Sequence, residues 1–187
     1  MKQRVAEALA IFTQRYIQHY QCECGHLPVI SLRNDAWSPC LQQRLNDDQI
    51  TWSSHSRCEE NDLSSVEDAL ELVIQPSITA WYTSQYAGDM DAKFCGRPCS
   101  LIQIWNNDDF IHLQENLIGH LVMKRELKQS PTVFIATLES DFEVISVCNI
   151  TGEVILETLG KKQRCTLAKD IPAFLDQLHP LVISIPH

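Results

Sequence analysis

The feature that most constrains the fold is a run of strand-like segments in the second half of the chain. No helix is predicted between these segments. Residues 132–138, 142–148 and 153–159 are rich in β-branched and aromatic side chains, and Asn149–Gly152 supplies turn residues between the last two. A fourth strand is predicted at residues 163–167. Strands joined by short connections pair as antiparallel hairpins, whereas parallel neighbours need a crossover that is usually a helix. The pattern therefore predicts an α+β fold and not a doubly wound α/β fold.

Apolar residues at helical spacing predict three helices in the first half of the chain. The first covers about residues 2–20, where aliphatic and aromatic side chains recur with the period of an α-helix. Ser64 followed by Glu67 is typical of a capping box and indicates the start of the second helix. Pro76 cannot continue that helix but can open a third, which we expect to stop before Gly88. The stripes that these last two helices should bury are Val66, Leu70, Val73 and Ile74 in one, and Ile78, Trp81, Tyr82 and Gln85 in the other.

A fourth helix is predicted to begin at Asn106 or Asn107 and to carry opposite charges at its two ends. Either asparagine can cap the helix, and the two aspartates that follow fall in its first turn, where negative charge complements the helix dipole. Its apolar stripe consists of Phe110, Leu113, Leu117 and Leu121, and its last turn contains Lys124, Arg125 and Lys128. Cations are favourable at that end for the same reason.

The remaining segments complete a mixture of helices and hairpin-linked strands. Two strands are predicted at residues 90–95 and 99–105, around a Gly-Arg-Pro turn, and a last helix at residues 171–178. Residues 27–52 are poorly patterned, so we expect them to be loop-rich, with a short strand near Ile50–Trp52.

The length and composition suit one packed domain in a reducing compartment. No linker or repeat divides the 187 residues, so we predict that residues 1–187 form a single domain. The 44% of hydrophobic residues can build a core, which argues against global disorder. Eight cysteines with no signal peptide ahead of them indicate reduced thiols and not a secreted disulfide scaffold. No apolar stretch approaches the roughly 18 residues of a membrane span, so we expect a soluble cytoplasmic protein.

The acidic residues concentrate in the middle of the chain. The formal net charge is -9, but residues 58–160 alone carry a net charge of -12, whereas residues 1–57 carry +1 and residues 161–187 carry +2. Three windows of this middle part contain no Lys or Arg, namely residues 58–92, 98–123 and 139–160. Such a single-sign field attracts cationic partners and repels nucleic acid and anionic lipid, so neither of those is expected as a partner. An ordinary solvated acidic surface is the alternative that charge alone leaves open.

Four aspartates and a group of thiols are the candidate metal ligands. Mg²⁺ could be held by Asp89, Asp91, Asp108 and Asp109 if they converged, although helix capping accounts equally well for the last two. A zinc site could be built from Cys22, Cys24, His26, Cys95 and Cys99. Neither cysteine pair has the two-residue spacing usual for a zinc knuckle, so we favour incidental cysteines. The sequence contains no phosphate-binding glycine loop, no G-x-S-x-G and no H-E-x-x-H.

Four aromatic residues lie close to the acidic windows: Trp81, Tyr82, Tyr86 and Trp105. Aromatic rings beside carboxylates suit a surface that grips long cationic side chains through packing and cation–π contact. The alternative is that these rings form the core, and for Trp81 we expect the core.

Several long stretches resemble the Syd family, the SecY-interacting proteins of Gram-negative bacteria. The segments QENLIGHL and FIATLE are the most specific, whereas the chain between Cys22 and Asn61 resembles the family least, apart from Ser38-Pro39-Cys40. The matching stretches cover most of residues 66–180, namely residues 73–92, 101–127, 131–160 and 167–180.

The resemblance implies a non-enzymatic protein that attaches peripherally to the cytoplasmic side of the inner membrane. It would bind SecY, the channel subunit of the protein translocase, and monitor translocase assembly, so that membrane association runs through protein and not through lipid. The implied fold is SUKH-like, an α+β architecture with a mixed, mostly antiparallel sheet flanked by helices. No cofactor is implied.

The resemblance also implies an acidic concave face that docks the basic cytoplasmic loops of SecY. The matching positions that could build this face are Asp89, Asp91, Asp108, Asp109, Glu115, Glu139, Glu143 and Glu153. The charge distribution points the same way, because cytoplasmic loops of membrane proteins carry an excess of Lys and Arg. Two other classes stay open: an immunity-type SUKH protein that neutralises a basic toxin nuclease, and a zinc- or magnesium-dependent enzyme.

Overall fold

Within residues 2–31, 37–57 and 62–182, which are the residues that the structure describes, the computed structural model has five α-helices and twelve β-strands. The helices are α1 (Lys2–Cys24), α2 (Ser64–Leu70), α3 (Pro76–Thr83), α4 (Asn107–Glu126) and α5 (Ile171–Asp176). The strands are β1 (Val29–Ser31), β2 (Leu41–Arg44), β3 (Gln49–Trp52), β4 (His55–Ser56), β5 (Gln85–Tyr86), β6 (Met90–Phe94), β7 (Arg97–Leu101), β8 (Thr132–Leu138), β9 (Glu143–Cys148), β10 (Val154–Thr158), β11 (Arg164–Ala168) and β12 (His179–Pro180). This composition confirms the α+β fold class.

Seven strands form the main sheet, in the order β11-β10-β9-β8-β7-β6-β12, and the pairings described for it are antiparallel. Strands β8 to β11 pair as consecutive hairpins, as the sequence predicts. At the centre of the sheet, Val147 lies opposite Val133 on one side and Val154 on the other, and all three are fully buried. Cross-strand contacts between β-branched side chains of this kind stabilise a sheet.

The hairpin between β6 and β7 turns more tightly than predicted. Cys95 and Gly96 both have positive φ angles, 47° and 79°, as a two-residue type I′ turn requires, and Phe94 pairs directly with Arg97. The second strand therefore begins before the predicted residue 99 and ends at Leu101, well before residue 105.

The predicted capping box at the start of α2 is wrong. Ser64 is already the first residue of α2, the N-cap residue is Leu63, and Asp62 Oδ1 accepts from the backbone N of Ser64 at 3.0 Å. The carboxylate of Glu67 instead accepts a hydrogen bond from the backbone N of Ile74, at 2.7 Å. The helix ends before Glu71, which adopts the left-handed conformation, and Val73 is 80% exposed and not buried as predicted.

The third helix also ends earlier than expected. Because α3 stops at Thr83, Gln85 does not line it; Gln85 and Tyr86 form β5, which pairs with β4. The Gln85 amide is nevertheless buried, and its Nε2 donates to Thr13 Oγ1 and to Gln103 Oε1, both at 2.9 Å. A polar core contact across three segments therefore takes the place of the predicted helical packing.

Residues 27–31 and 37–52 contain two strands beyond the one predicted near Ile50–Trp52, which is confirmed as β3. They contain β1, β2 and β3, which form a separate antiparallel sheet in the order β1-β3-β2. These strands have three or four residues each and are mostly exposed or half-buried, so they carry little of the alternation by which a strand is recognised.

One hydrophobic cluster joins the helices to both of these sheets. Helix α1 packs against α3 and α5, and α4 packs against α2 and β8. Trp81 is buried in the cluster, as predicted, and its Nε1 donates to the carbonyl of Ile102 at 3.1 Å. The Tyr82 hydroxyl donates to the carbonyl of Phe134. The Trp81 contact holds the segment between β7 and α4, which leads to the N-terminal end of α4, and the Tyr82 contact ties α3 to β8.

Candidate functional site

A cleft of about 990 Å³ opens between the small three-stranded sheet and the N-terminal end of α4. Strands β1 and β3 form one wall, residues 87–89 the second, and residues 102–109, which lead from β7 into α4, the third. These segments are distant in sequence, so the cleft exists only in the folded chain. Its lining combines carboxylates with indole rings.

Asp89 is a solvent-exposed carboxylate of the cleft that the backbone holds in place. It follows Gly88, where an added Cβ would lie 2.7 Å from Cε2 of Trp52, so the glycine lets the indole pack directly on the backbone. Its Oδ1 accepts a hydrogen bond from the backbone N of Gln103 at 2.8 Å. Partial desolvation by the surrounding cleft raises the pKa of Asp89 to about 6; the hydrogen bond opposes this rise and neighbouring aspartate charges add to it. A cation that enters the cleft would therefore favour the ionised form.

The N-terminal end of α4 supplies two more carboxylates. Asn106 caps the helix, as predicted, and its Oδ1 accepts from the backbone N of Asp109 at 2.9 Å. Asp109 Oδ2 in turn accepts from the backbone N of Trp105 at 2.9 Å, which makes a reciprocal pair of the capping-box type. Asp108 is exposed and lines the cleft, and in the described part of the chain no hydrogen bond or ion pair engages its side chain.

Three tryptophans line the same cleft. Trp52 is buried and packs edge-to-face against Trp105, with 6.5 Å between ring centroids. Trp37 is 73% exposed, and its carbonyl accepts from Asn106 Nδ2 at 2.8 Å, which ties this residue to the start of α4. Of these three tryptophans, only Trp105 was predicted from the sequence to lie beside the acidic residues. The signal that could have indicated Trp37 is its position directly before the one family-like segment of an otherwise divergent region.

The other predicted aromatic residues do not line the cleft. Trp81 and Tyr82 belong to the core, and the Tyr86 ring is covered by the Arg57 guanidinium, which lies 4.4 Å from the ring centroid. For these three residues the packing alternative is the correct one.

Three of the eight predicted carboxylates, Asp89, Asp108 and Asp109, converge on the cleft, and the other five lie outside its lining. Asp91 is half-buried opposite Ser100 in the β6–β7 hairpin, and burial raises its pKa. Glu143 forms an ion pair with Arg97, with 2.8 Å between Oε2 and Nη2. The remaining three are Glu115 and Glu139, which are exposed, and Glu153, which is half-buried and accepts from Thr151 Oγ1 at 2.9 Å.

The cleft has the chemistry of a receptor for long cationic side chains. Among the described residues that line it there is no Lys or Arg, so its field has a single sign. Indole faces can hold the methylene stem of a lysine or arginine, while carboxylates accept hydrogen bonds from the charged head. The arrangement therefore suits a basic, partly apolar peptide segment better than a simple inorganic cation.

The candidate metal ligands are not arranged to hold one ion in the described part of the chain. Over residues 2–31, 37–57 and 62–182, no group of three or more His, Cys, Asp or Glu side chains is placed to hold a metal ion. Cys22 is exposed in the last turn of α1, Cys95 is exposed in the hairpin turn and Cys99 is buried in β7. The same residues contain no helix that is both long enough and apolar enough to cross a membrane.

The chain is similar in sequence to known proteins. The family described as Syd protein (SUKH-2) matches residues 6–180. The chain is 50% identical over 184 residues to Protein Syd of Erwinia tasmaniensis, covering 98% of each chain. It is 45% identical to Protein Syd of Pectobacterium carotovorum subsp. carotovorum, over 98% of this chain and 100% of that one. Protein Syd of Cronobacter sakazakii is 47% identical over 97% of this chain and 100% of its own.

Proposed function

The chain belongs to the Syd (SUKH-2) family, and on that premise we propose that it is a non-enzymatic SecY-binding protein. In this proposal it attaches peripherally to the cytoplasmic face of the inner membrane by docking basic cytoplasmic loops of SecY. The acidic, tryptophan-lined cleft at the start of α4 is the observation that supports the proposal. Membrane association then runs through a protein receptor and needs no membrane-spanning segment of its own.

The cleft and a cytoplasmic loop of a membrane protein are complementary in charge. Such loops carry an excess of Lys and Arg, and the described lining of the cleft contains Asp89, Asp108 and Asp109 without a compensating Lys or Arg. Exposed carboxylates would steer the loop during encounter, because long-range attraction mainly raises the association rate. The indoles of Trp37 and Trp105 would then hold the aliphatic stems of its side chains.

A contact of this kind suits a protein that monitors translocase assembly. Binding that depends on charge is reversible and weakens as salt rises, because counterions screen charges that solvent can reach. The protein would therefore sample free SecY loops and leave when another component covers them.

Charge reversal at Asp108 is the sharpest test of the cleft. Asp108 and Asp89 are both exposed, but Asp89 accepts a hydrogen bond from the backbone N of Gln103, so reversal at Asp89 would disturb the fold as well. We expect Asp108→Lys to weaken binding to purified SecY in detergent at low salt by about tenfold or more, and to cost no more than about 1 kcal/mol of stability. The matched control is Glu115→Lys, which makes the same charge change on the exposed surface of the same helix, outside the cleft lining.

Each result of this comparison is informative. Equal weakening by Asp108→Lys and Glu115→Lys would mean that the wider acidic surface binds and not the cleft. Unchanged binding by Asp108→Lys, with the fold intact by thermal unfolding, would remove the cleft from the proposal. If a tagged chain instead copurifies with a basic nuclease and not with translocase, the immunity-type function replaces this one.

A further inference from the structure

A second pocket, at the opposite end of α4, is surrounded by cations. It has a volume of about 220 Å³ and lies between the C-terminal end of α4, the start of β8 and the β10–β11 hairpin. Its basic lining residues are Lys124, Lys128, Lys161, Lys162 and Arg164, and Glu157 is its one acidic residue among those described. Five of the fifteen Lys and Arg of a chain with net charge -9 thus surround one small pocket. An even spread of basic residues would not produce this density.

The floor of the pocket is a buried ion pair. Lys124 is only 2% exposed, and its Nζ donates to Glu157 Oε2 and, at 3.3 Å, to Gln129 Oε1. Glu157 Oε1 accepts from Thr132 Oγ1 at 2.8 Å. Burial opposes ionisation of Glu157, but the hydrogen bonds from Lys124 and Thr132 and the lysine charge outweigh it, so the pKa of Glu157 lies below its ordinary value. The pair is therefore ionic.

Two observations indicate that this ion pair takes part in binding a ligand in the pocket. An ammonium group offers three hydrogens, and within the described chain two acceptors engage Lys124, which leaves one for a ligand. A buried ion pair is also seldom the most stable filling of a core, since apolar side chains of similar volume do as well or better. With Lys124 neutralised by Glu157, four cations at the rim remain without a described acidic partner in the lining.

Lys128 stands where a helix usually ends in glycine. Its φ angle is 51°, in the left-handed region, and the backbone N of the next residue, Gln129, donates to the carbonyl of Lys124 at 2.9 Å, as at other left-handed helix ends. Glycine adopts this conformation without strain, whereas lysine does not. The strained position carries a cation at the rim of the pocket.

We propose that this basic pocket binds a phosphate group, carried either by a soluble phosphate compound or by the head group of an anionic phospholipid. A small pocket with several Lys and Arg donors fits a compact, multiply charged anion. The acidic cleft does not cancel this local field, because α4 has 20 residues and separates the two sites by about 30 Å, several times the Debye length of about 8 Å. The proposal does not depend on SecY binding, since it concerns other residues at the other end of the helix.

The test compares two variants that remove the same charge. The pocket variant combines Lys128→Gly, Lys161→Gln and Arg164→Gln, and Lys128→Gly also relieves the left-handed backbone. The control variant combines Arg4→Gln, Lys93→Gln and Lys169→Gln, three exposed cations outside the pocket lining. The full chain, uniformly labelled with ¹⁵N, is titrated with inorganic phosphate while sodium chloride keeps the ionic strength constant, and amide shifts are followed by NMR. A second arm measures sedimentation with phosphatidylcholine vesicles that contain or lack phosphatidylglycerol.

We expect saturable amide shifts at residues 128–130, 132 and 161–164 in the wild type and the control variant, and an affinity at least about tenfold weaker in the pocket variant. Selective loss of phosphatidylglycerol-dependent sedimentation in the pocket variant would identify the lipid head group as the source of the phosphate. Phosphate binding with no vesicle binding would identify a soluble compound. If neither phosphate nor phosphatidylglycerol distinguishes the pocket variant from the control, the proposal is wrong.

Discussion

The two ends of α4 differ in what they present to solvent and in how they hold their charges. At the N-terminal end, Asp108 is exposed beside three indole rings, in a cleft of about 990 Å³. At the C-terminal end, Lys124 is buried against Glu157 beneath a pocket of about 220 Å³ with exposed lysines at its rim. Both ends place charge where the helix dipole favours it. One or two charges would satisfy the dipole, so the dipole does not account for the aromatic wall at one end or the additional cations at the other.

This difference teaches that the sign of the charge is only part of what each end can recognise. The acidic cleft offers apolar faces, which suit a ligand with a hydrocarbon stem behind its charge. Among the described residues that line the basic pocket there is no aromatic ring and no large aliphatic side chain, so this pocket suits a compact polar ion. One helix thus separates a surface for a basic protein segment from a site for a small anion.

The largest expected effect is at the basic end, because its charges are the buried ones. Lys124→Met leaves the carboxylate of Glu157 buried without its cation, and we expect a loss of about 3–5 kcal/mol in the free energy of unfolding by urea. At the acidic end, Asp108→Asn removes an exposed charge and should cost no more than about 1 kcal/mol. Similar losses for these two variants would contradict the contrast between the ends. The double variant Lys124→Met/Glu157→Leu should recover most of the stability, since it removes both charges.

The acidic end could be predicted from sequence much better than the basic end. Asp89, Asp108 and Asp109 were candidates because they occupy family-like segments that also lie in windows without Lys or Arg, and the cap at Asn106 follows from local chemistry. Trp52 was missed because the strand that carries it is short and weakly patterned. By contrast, α4 and the hairpins of the main sheet were predicted because they are long and their apolar residues recur with a clear period.

The basic pocket could not be predicted, because its parts meet only through sheet pairing. Lys124 and Lys128 are ordinary residues for the last turn of a helix, and Lys161 follows an unremarkable turn. Only the packing of α4 against β8, with β9 and β10 beyond it, brings the two groups together. Sequence also gives no sign that Lys124 is buried, since the same residue type at the same helix position is normally exposed.

The two ends should also respond to pH in opposite directions. The pKa of Asp89 is raised to about 6 in the folded chain, from an ordinary value of 3.8, so the folded state binds this proton more tightly than the unfolded state does. Its contribution to stability is therefore most favourable below pH 4 and is lost as pH rises towards and through 6. Glu157, whose pKa is lowered, contributes stability above its ordinary value of 4.5 that is lost as pH falls.

Urea unfolding of Asp89→Asn and Glu157→Gln between pH 4 and pH 8 measures this contrast. Relative to the wild type, Asp89→Asn should gain stability as pH rises from 4 to 7, by no more than about 1 kcal/mol because solvent screens the exposed carboxylate. The asparagine oxygen can still accept from Gln103, so the fold should persist. Glu157→Gln should lose stability relative to the wild type over the same range. If the free energy of unfolding changed with pH in the same direction for both variants, the pKa values of Asp89 and Glu157 would not be shifted in opposite directions.

The smallest expected effect in stability is also the most specific for the basic pocket. Lys128→Gly relieves the left-handed backbone at the end of α4, although glycine also gains entropy in the unfolded chain, so we expect a net gain of about 0.5 kcal/mol in thermal unfolding. If the pocket binds phosphate, the same variant should bind inorganic phosphate more weakly, because a rim cation is gone. A variant that is more stable but binds less cannot owe its weaker binding to a damaged fold. Higher stability with unchanged phosphate affinity would mean that Lys128 has no role in binding. Lower stability would mean that the Lys128 side chain makes contacts within the chain that outweigh the strained backbone.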